Sequence, residues 1–357
     1  ETLREMERDV RTRVRAGGAD HTRLTGETGG WAVAEFVHHT SRPVDGHPDP
    51  HLHLHAFAFN ATYDEVEGKW KAFDIGDLKR DAPYHQAACD ARLAEKLIGL
   101  GFNVERRPPD ATLGRISDGW EVVGVPESIV RGFSRRTGQI EALARDLGVT
   151  DADAKARLGA TSRDDKASAF TMDELRRRWG DRLSPEEAAA IREVVARSQQ
   201  LGRDRGVVDR PEDLDRSLAF ALAHAFERSS VLSEKRLLAL ALEHGIGTVT
   251  PDAVKRRLDE LVADRQVLRG VVEEETLVTT PAVLREEKAM LETVVAGRGQ
   301  RDPLKQDHVI SDPALSQEQR DAVTHALASP DSVVLIAGRA GVGKTRTMRE
   351  VVNAIES

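Results

Sequence analysis

Two groups of residues in this 357-residue chain have the types and spacing for chemistry. The first is FVHHTSRPVDGHPDPHLHLH, residues 36–55. Side chains at i and i+2 of a strand face the same side, so His51, His53 and His55 share a face, with Leu52 and Leu54 opposite. Two imidazoles at that spacing can bind one divalent cation, and a third nitrogen from a neighbouring strand completes a facial set. His38, at the end of the preceding apolar strand, is the best candidate for that third ligand. Positions left open on the metal could then polarise substrate oxygens. Imidazole nitrogens suit Zn²⁺ or Mn²⁺ well and Mg²⁺ less well. The alternative is a solvated edge strand, but seven histidines between 38 and 85 weigh against it.

The second group is GRAGVGKT, residues 338–345, which satisfies the phosphate-loop pattern G-x-x-x-x-G-K-[ST] in full. Gly338, Gly341 and Gly343 let the backbone curl, so that successive N–H groups, Val342 among them, point at phosphate oxygens. Lys344 would reach the β and γ phosphates and Thr345 would ligate Mg²⁺, which makes ATP with Mg²⁺ the expected ligand. Upstream, LSQEQRDAV (315–323) resembles the adenine-reading segment of superfamily 1 helicases, with Gln319 in the reading position. Only twelve residues follow Thr345, too few for an acidic Mg²⁺ strand, an arginine finger or later motor motifs.

The elements that must position these groups follow from periodicity and punctuation. A charged helix is expected over 1–16, ending at Gly17 and Gly18. Strands are expected at 31–38 and 51–63, with a second strand after Gly68 forming a hairpin. Helices at 83–100 and 126–147 bracket short strands at 102–106 and 120–123. Residues 1–147 thus read as an α+β unit and 148–209 as a helical connector, with a helix start at Ser184-Pro185-Glu186-Glu187. Residues 210–297 carry helices at 212–228, 233–244 and 251–264, then two strands around a Gly/Glu turn at 266–280, the element order of a winged helix. A linker at 295–313 leads to 310–357, the start of an α/β phosphate-loop domain with a strand at 332–338.

Lys plus Arg number 52 and Asp plus Glu 60, a net charge of −8, which excludes a globally basic nucleic-acid binder but leaves room for a local basic surface. A single cysteine, Cys89, excludes an internal disulfide framework and a thiolate metal site. No apolar run reaches the ~18–20 residues of a membrane span, and a cytoplasmic location without membrane insertion is expected.

F-x-H-x-T-S-R followed by D-P-x-x-H-x-H resembles the metal motif of conjugative relaxases of the MobF/TrwC type. The matching residues are Phe36, His38, Thr40, Ser41 and Arg42, then Asp49, Pro50, His53 and His55. The resemblance makes His38, His53 and His55 the ligands of one Mg²⁺, Mn²⁺ or Zn²⁺ ion and leaves His51 outside the set. It extends to GKWKAFD (68–74), the helix through 84–100, GVPESIVRGFSRRTGQI (124–140) and AHAFERSSVLSEKRLLALALEHG (223–245), in the family's order up to the phosphate loop. It implies an HUH-type sheet and tyrosine-mediated nicking at a transfer origin. It also implies 5′-to-3′ unwinding by an attached helicase, with single-stranded and origin DNA, ATP, and accessory nicking-complex and coupling proteins as partners. The family's nucleophilic tyrosines precede the matched segment. Tyr63 and Tyr84 do not fit their motif and are assigned to structure, so the chain is expected to be an internal piece lacking strand cleavage and ATP hydrolysis of its own. Arg42, Lys69, Lys71, Lys79 and Arg80 are the expected phosphate-contacting surface, with Trp70 either packed in the core or stacking on an unpaired base. Two other readings stand beside this one. A plain ATP-dependent helicase or repair motor would leave the histidines incidental. A non-catalytic DNA-binding adaptor would act through 233–280.

Overall fold

The computed structural model describes residues 1–16, 19–24, 30–107, 119–161, 170–202 and 206–356. They form two compact units, Glu1–Asp264 with Arg269–Val278, and Arg265–Leu268 with Thr279–Ser357.

The first unit opens with helix α1 (Thr2–Asp9), which stops well short of residue 16. Strand β1 (Arg11–Ala16) follows and pairs antiparallel with β2 (Ala19–Leu24). The expected single helix is wrong here because Val10, Thr12 and Val14 alternate with Arg11, Arg13 and Arg15. That period of two sends Val10 and Thr12 into the core, where Val10 joins Phe73 and Leu78.

β3 (Val33–Thr40) and β4 (Pro50–Ala58) make an antiparallel ribbon. The expected strand 51–63 is divided at Asn60, whose Oδ1 accepts a 2.9 Å hydrogen bond from Phe73 N. Its last part becomes β5 (Thr62–Asp64), paired with β6 (Lys69–Lys71) through a turn with Gly68 at φ 63°. β7 (Phe73–Asp74) returns to pair with β1. Among the described residues the strands of this region pair in small separate sheets.

α2 (Gly76–Arg80) leads into α3 (Ala82–Gly99), which buries Tyr84, Ala87, Ala88, Ala91, Ala94 and Ile98 on one helical face. Gly101 ends it at φ 92°, and a Cβ there would stand 2.1 Å from the Ser198 carbonyl oxygen, so only glycine fits. β8 (Val104–Arg107) pairs with β9 (Gly119–Val122). The helix expected over 126–147 is two, α4 (Glu127–Gly132) and α5 (Arg135–Asp146). The break has a tertiary cause: Arg135 N donates to the Asp49 carboxylate at 3.2 Å. Next come α6 (Ala152–Thr161), α7 (Met172–Gly180) and α8 (Pro185–Leu201). The last two open with capping boxes at Thr171/Glu174 and Ser184/Glu187.

α9 (Pro211–Ala225), the short β10 (Leu232–Ser233), α10 (Glu234–His244), α11 (Pro251–Ala263), β11 (Leu268–Val272) and β12 (Glu275–Thr279) follow the expected order of three helices and a hairpin. The hairpin turn is Glu273-Glu274, both at positive φ, and β10 pairs with β12. Residues 237–242 are all buried, so α10 is enclosed on every side, in contact with α9 and α3. The segment up to Val278 accordingly belongs to the same compact unit as residues 1–147.

The second unit contains α12 (Pro281–Ala296), a helix not foreseen in the sequence although Thr280 caps it and Pro281 starts it. α13 (Gln317–Ala328) and α14 (Lys344–Glu356) pack through Leu315, Val323, Leu327, Val351 and Ala354. Residues 332–338 are not a strand. A strand exists by its ladder, and these residues have no pairing partner among the described residues.

Candidate metal centre

β3 and β4 bring the histidines together by register. His38 stands opposite His53, and Phe36 opposite His55, so cross-strand pairing and the two-residue period place His38, His53 and His55 on one face. One nitrogen from each lies within 4.8 Å of the others. The His53 and His55 Nε2 atoms are 3.2 Å apart. His53 Nδ1 is 2.8 Å from the His51 carbonyl oxygen, a contact in which Nδ1 is the donor, which leaves the Nε2 lone pair for a cation. Three imidazoles converging from two strands, partly open to solvent, fit a divalent ion with open positions. His51 stacks on His53, with ring centroids 4.5 Å apart, outside the convergent set. Burial, then repulsion by His53, holds its imidazole below the usual histidine range.

The connection between the two strands is fixed at its end. Ser41 N donates to the Asp49 carbonyl at 2.9 Å, and Asp49 N donates to Ser41 Oγ at 3.2 Å. Between them Asp45 and Gly46, both at positive φ, form the turn. The Asp49 side chain is 2% exposed and accepts from Arg135 Nε at 3.0 Å and Arg182 Nη1 at 2.6 Å. Burial alone would raise this carboxyl, but those two guanidinium groups outweigh it and hold it below the usual aspartate range. Sequence reasoning matched Asp49 to a motif without seeing this role. The available signal was an acid beside a proline in a loop, with two adjacent arginines downstream in SRRTGQI.

The expected phosphate-contacting surface is reorganised. Lys71 bridges Asp64 at 2.8 Å and Glu67 at 2.6 Å, and Lys69 also reaches Glu67 at 2.6 Å. Arg80 pairs with Asp77 and Asp81. These cations are held by acids of the hairpin and of α2–α3 in the DNA-free chain. Trp70 is 71% exposed, edge-on to Tyr63 at 5.5 Å, and not core packing. Tyr84 is buried and donates its hydroxyl to Glu5. Burial and that carboxylate raise its pKa, which makes it a poor nucleophile.

In the second unit, α14 begins at Lys344, and Gly341 and Gly343 sit at φ 79° and 82°. Lys344 Nζ donates to the carbonyl oxygens of Gly338 (2.7 Å) and Arg339 (2.9 Å), curling the loop around its own lysine. Thr345 is exposed on the first turn of that helix. Gln319 is engaged at both ends of its amide: Oε1 accepts from Ser316 N at 2.9 Å, and Nε2 donates to the Val342 carbonyl at 2.8 Å. It therefore links the helix before the loop to the loop itself.

The TrwC relaxase family model matches residues 1–185, more than half of the chain. The chain belongs to the TrwC relaxase family. The match runs beyond residue 147 and takes in α7 and Arg182. An AAA domain model matches residues 314–357, which contain Gln319 and the phosphate loop. Among solved structures, the chain is similar to TrwC complexed with a 27-mer DNA comprising the recognition hairpin and the cleavage site. That match has 25% identity and a TM-score of 0.42 over 57% of this chain and 62% of that one. Metal-bound TrwC in complex with oriT DNA is similar at 24% identity and TM-score 0.41, over 57% of this chain and 61% of that one. The metal-free complex gives 24% and 0.41, over 57% and 62%. The chain thus spans less than two thirds of these structures' length. No curated protein matches it. No helix among the described residues is long and apolar enough to cross a membrane.

Proposed function

We propose that this chain carries the metal centre of a DNA relaxase for conjugative transfer, joined to the phosphate-loop region of an ATP-driven helicase. The observation that carries the reading is the convergence of His38, His53 and His55 on one exposed face in a chain of the TrwC family. A bound divalent ion would supply Lewis-acid polarisation of a scissile DNA phosphate. His38, His53 and His55 would hold it, with His53 fixed in its tautomer by the His51 carbonyl. Exposed positions on the ribbon leave the substrate side open. Neither tyrosine of the chain is assigned to attack: Tyr84 is sequestered by Glu5, and Tyr63 packs on Trp70. In the second unit, Gly338, Gly341, Val342, Gly343, Lys344 and Thr345 would cradle the phosphates of ATP with its Mg²⁺, and Gln319 would face the adenine end. Single-stranded and origin DNA are the proposed substrates.

The test is calorimetric titration with Mn²⁺ and Zn²⁺. The expected result is about one ion per chain, a strong loss of affinity in His53→Ala and in His55→Ala, and a much smaller loss in His51→Ala. An affinity unchanged by His53→Ala, or His51→Ala weakening binding as much as His53→Ala, would overturn the ligand assignment.

A further inference from the structure

The two strands that carry the histidines are joined by residues 41–49, which form no ladder beyond one bridge between Val44 and His47. The register also shifts between His38 and Thr40. A one-residue slip of β4 would turn His53 and His55 to the opposite face, so where that strand begins decides whether the ligands converge. The Ser41–Asp49 hydrogen bonds hold that start from within the connection, and groups from outside the ribbon hold it as well. The structure shows a built device for this at Asp49, one residue before β4 and four before His53.

Asp49 takes hydrogen bonds from two helical segments distant in sequence. Arg135, at the first turn of α5, reaches it through its backbone N at 3.2 Å and through Nη2 at 2.9 Å, besides the Nε bond described above. Arg182 comes from the turn between α7 and α8. The same segments hold the neighbouring backbone. Arg135 donates to the His47 carbonyl, and Trp179 Nε1 donates to the Pro48 carbonyl at 2.9 Å. Arg182 also lies over the Phe133 ring at 4.2 Å, which limits its own freedom.

We infer that Asp49, gripped by Arg135 and Arg182, is a positioning residue for the metal centre: it sets the register and orientation of the strand that presents His53 and His55. This rests on the metal reading proposed above. The contacts of the carboxylate are with Arg135 and Arg182 rather than with the three histidines, so its effect on them runs through the backbone of β4. Its removal therefore loosens the ligand set without deleting a ligand. Outer partners that orient metal-binding imidazoles typically account for about 10–100-fold in affinity, and a loss of roughly tenfold is expected for Asp49→Asn.

The experiment uses the whole chain with Mn²⁺ for calorimetry and Cu²⁺ as a spectroscopic probe. Wild type, His53→Ala, Asp49→Asn, Arg182→Ala and Arg182→Lys are compared, with thermal unfolding as the check on folding. Asp49→Asn and Arg182→Ala should weaken Mn²⁺ roughly tenfold and broaden or shift the Cu²⁺ paramagnetic resonance spectrum, and Arg182→Lys should recover part of the loss. A general loss of stability would lower the melting temperature but leave the resonance of the bound fraction unchanged. If Asp49→Asn does not fold, Arg182→Ala carries the test, since Arg135 still holds the carboxylate. Wild-type affinity and spectrum in Arg182→Ala, with His53→Ala losing the metal, would overturn the positioning role alone. Wild-type affinity in His53→Ala would instead overturn the metal reading on which it rests.

Discussion

Replacing Lys235 with alanine should destabilise the first unit by removing one cation from between two acids. Lys235 Nζ lies 2.7 Å from Asp9 Oδ2 and 2.8 Å from Asp81 Oδ2, which ties α10 to the end of α1 and to the cap of α3. Side-chain exposures are 30% for Lys235, 28% for Asp9 and 4% for Asp81. Breaking a wholly buried pair costs about 3–5 kcal/mol, because a charge is left without a partner. Here Asp81 keeps Arg80 at 3.0 Å and Asp9 is part-exposed, so about 2 kcal/mol is the expected loss. At about 2–4 °C per kcal/mol for a unit of this size, the transition should fall by roughly 4–8 °C. Lys235→Met, which keeps most of the alkyl stem, should fall nearly as far if the charge is what matters. The pH dependence has a definite sign. Burial by itself raises the Asp81 carboxyl, but hydrogen bonds from Arg80 and Lys235 outweigh it and depress its pKa. The contribution is therefore present above the unfolded value of about 3.9 and lost as pH falls through the folded value. Burial by itself lowers Lys235, but the two acids outweigh it and raise its pKa, so the upper limit lies above about 10.4. Scanning calorimetry of wild type and variant from pH 3 to pH 9 tests this. A Lys235→Ala transition within about 1 °C of wild type at pH 7, or a gap that widens in acid, would refute the reasoning.

His85→Leu should leave the neutral-pH transition equal or higher, since neither ring nitrogen of this buried histidine makes a hydrogen bond among the described residues and Asp9, 3.6 Å from its Nε2, keeps Lys235. Burial and then Lys235 depress its pKa, so its contribution is present above about pH 6.5 and lost as pH falls through the folded value. The leucine variant should lose less stability than wild type between about pH 6.5 and 5, read from melting curves. Gly343→Ala meets both a φ of 82° and a Cβ only 2.7 Å from Gln319 Nε2. It should cost about 1–2 kcal/mol in the second unit's stability and weaken binding of a fluorescent ATP analogue; unchanged nucleotide binding would separate Gln319 from the loop's shape. Trp70→Ala should weaken single-stranded DNA by about 1–3 kcal/mol if a base stacks on this exposed ring, with quenching of tryptophan fluorescence by oligothymidine lost in the variant. Lys71→Ala should lower stability rather than the salt slope of DNA binding, because it removes the cation beside the buried Asp64 and leaves that carboxylate its backbone hydrogen bonds from Val66 and Glu67.

Local pattern was enough for everything whose geometry is local. Alternation over 51–58 put His51, His53 and His55 on one face, and a full phosphate-loop pattern placed Lys344 at a helix start, as observed. Caps at Ser184 and the Glu273-Glu274 turn were likewise legible, because a side chain bonding its own next turn, or a two-residue hairpin, needs no distant partner. What the sequence could not decide depended on groups far away along the chain. Arg11–Ala16 becomes a strand because β2 and β7 flank it, and residues 332–338 stay out of any ladder because no strand among the described residues meets them. The helix over 126–147 is interrupted because Arg135 answers to Asp49, 86 residues away. Lys71 is a structural cation because folding places Asp64 beside it, and Trp70 is exposed because its hairpin turns that face outward. The periodicity of a chain fixes which side chains share a face. Only the packed structure decides which charges meet, since an ion pair's worth is set by the burial and the partners that folding creates.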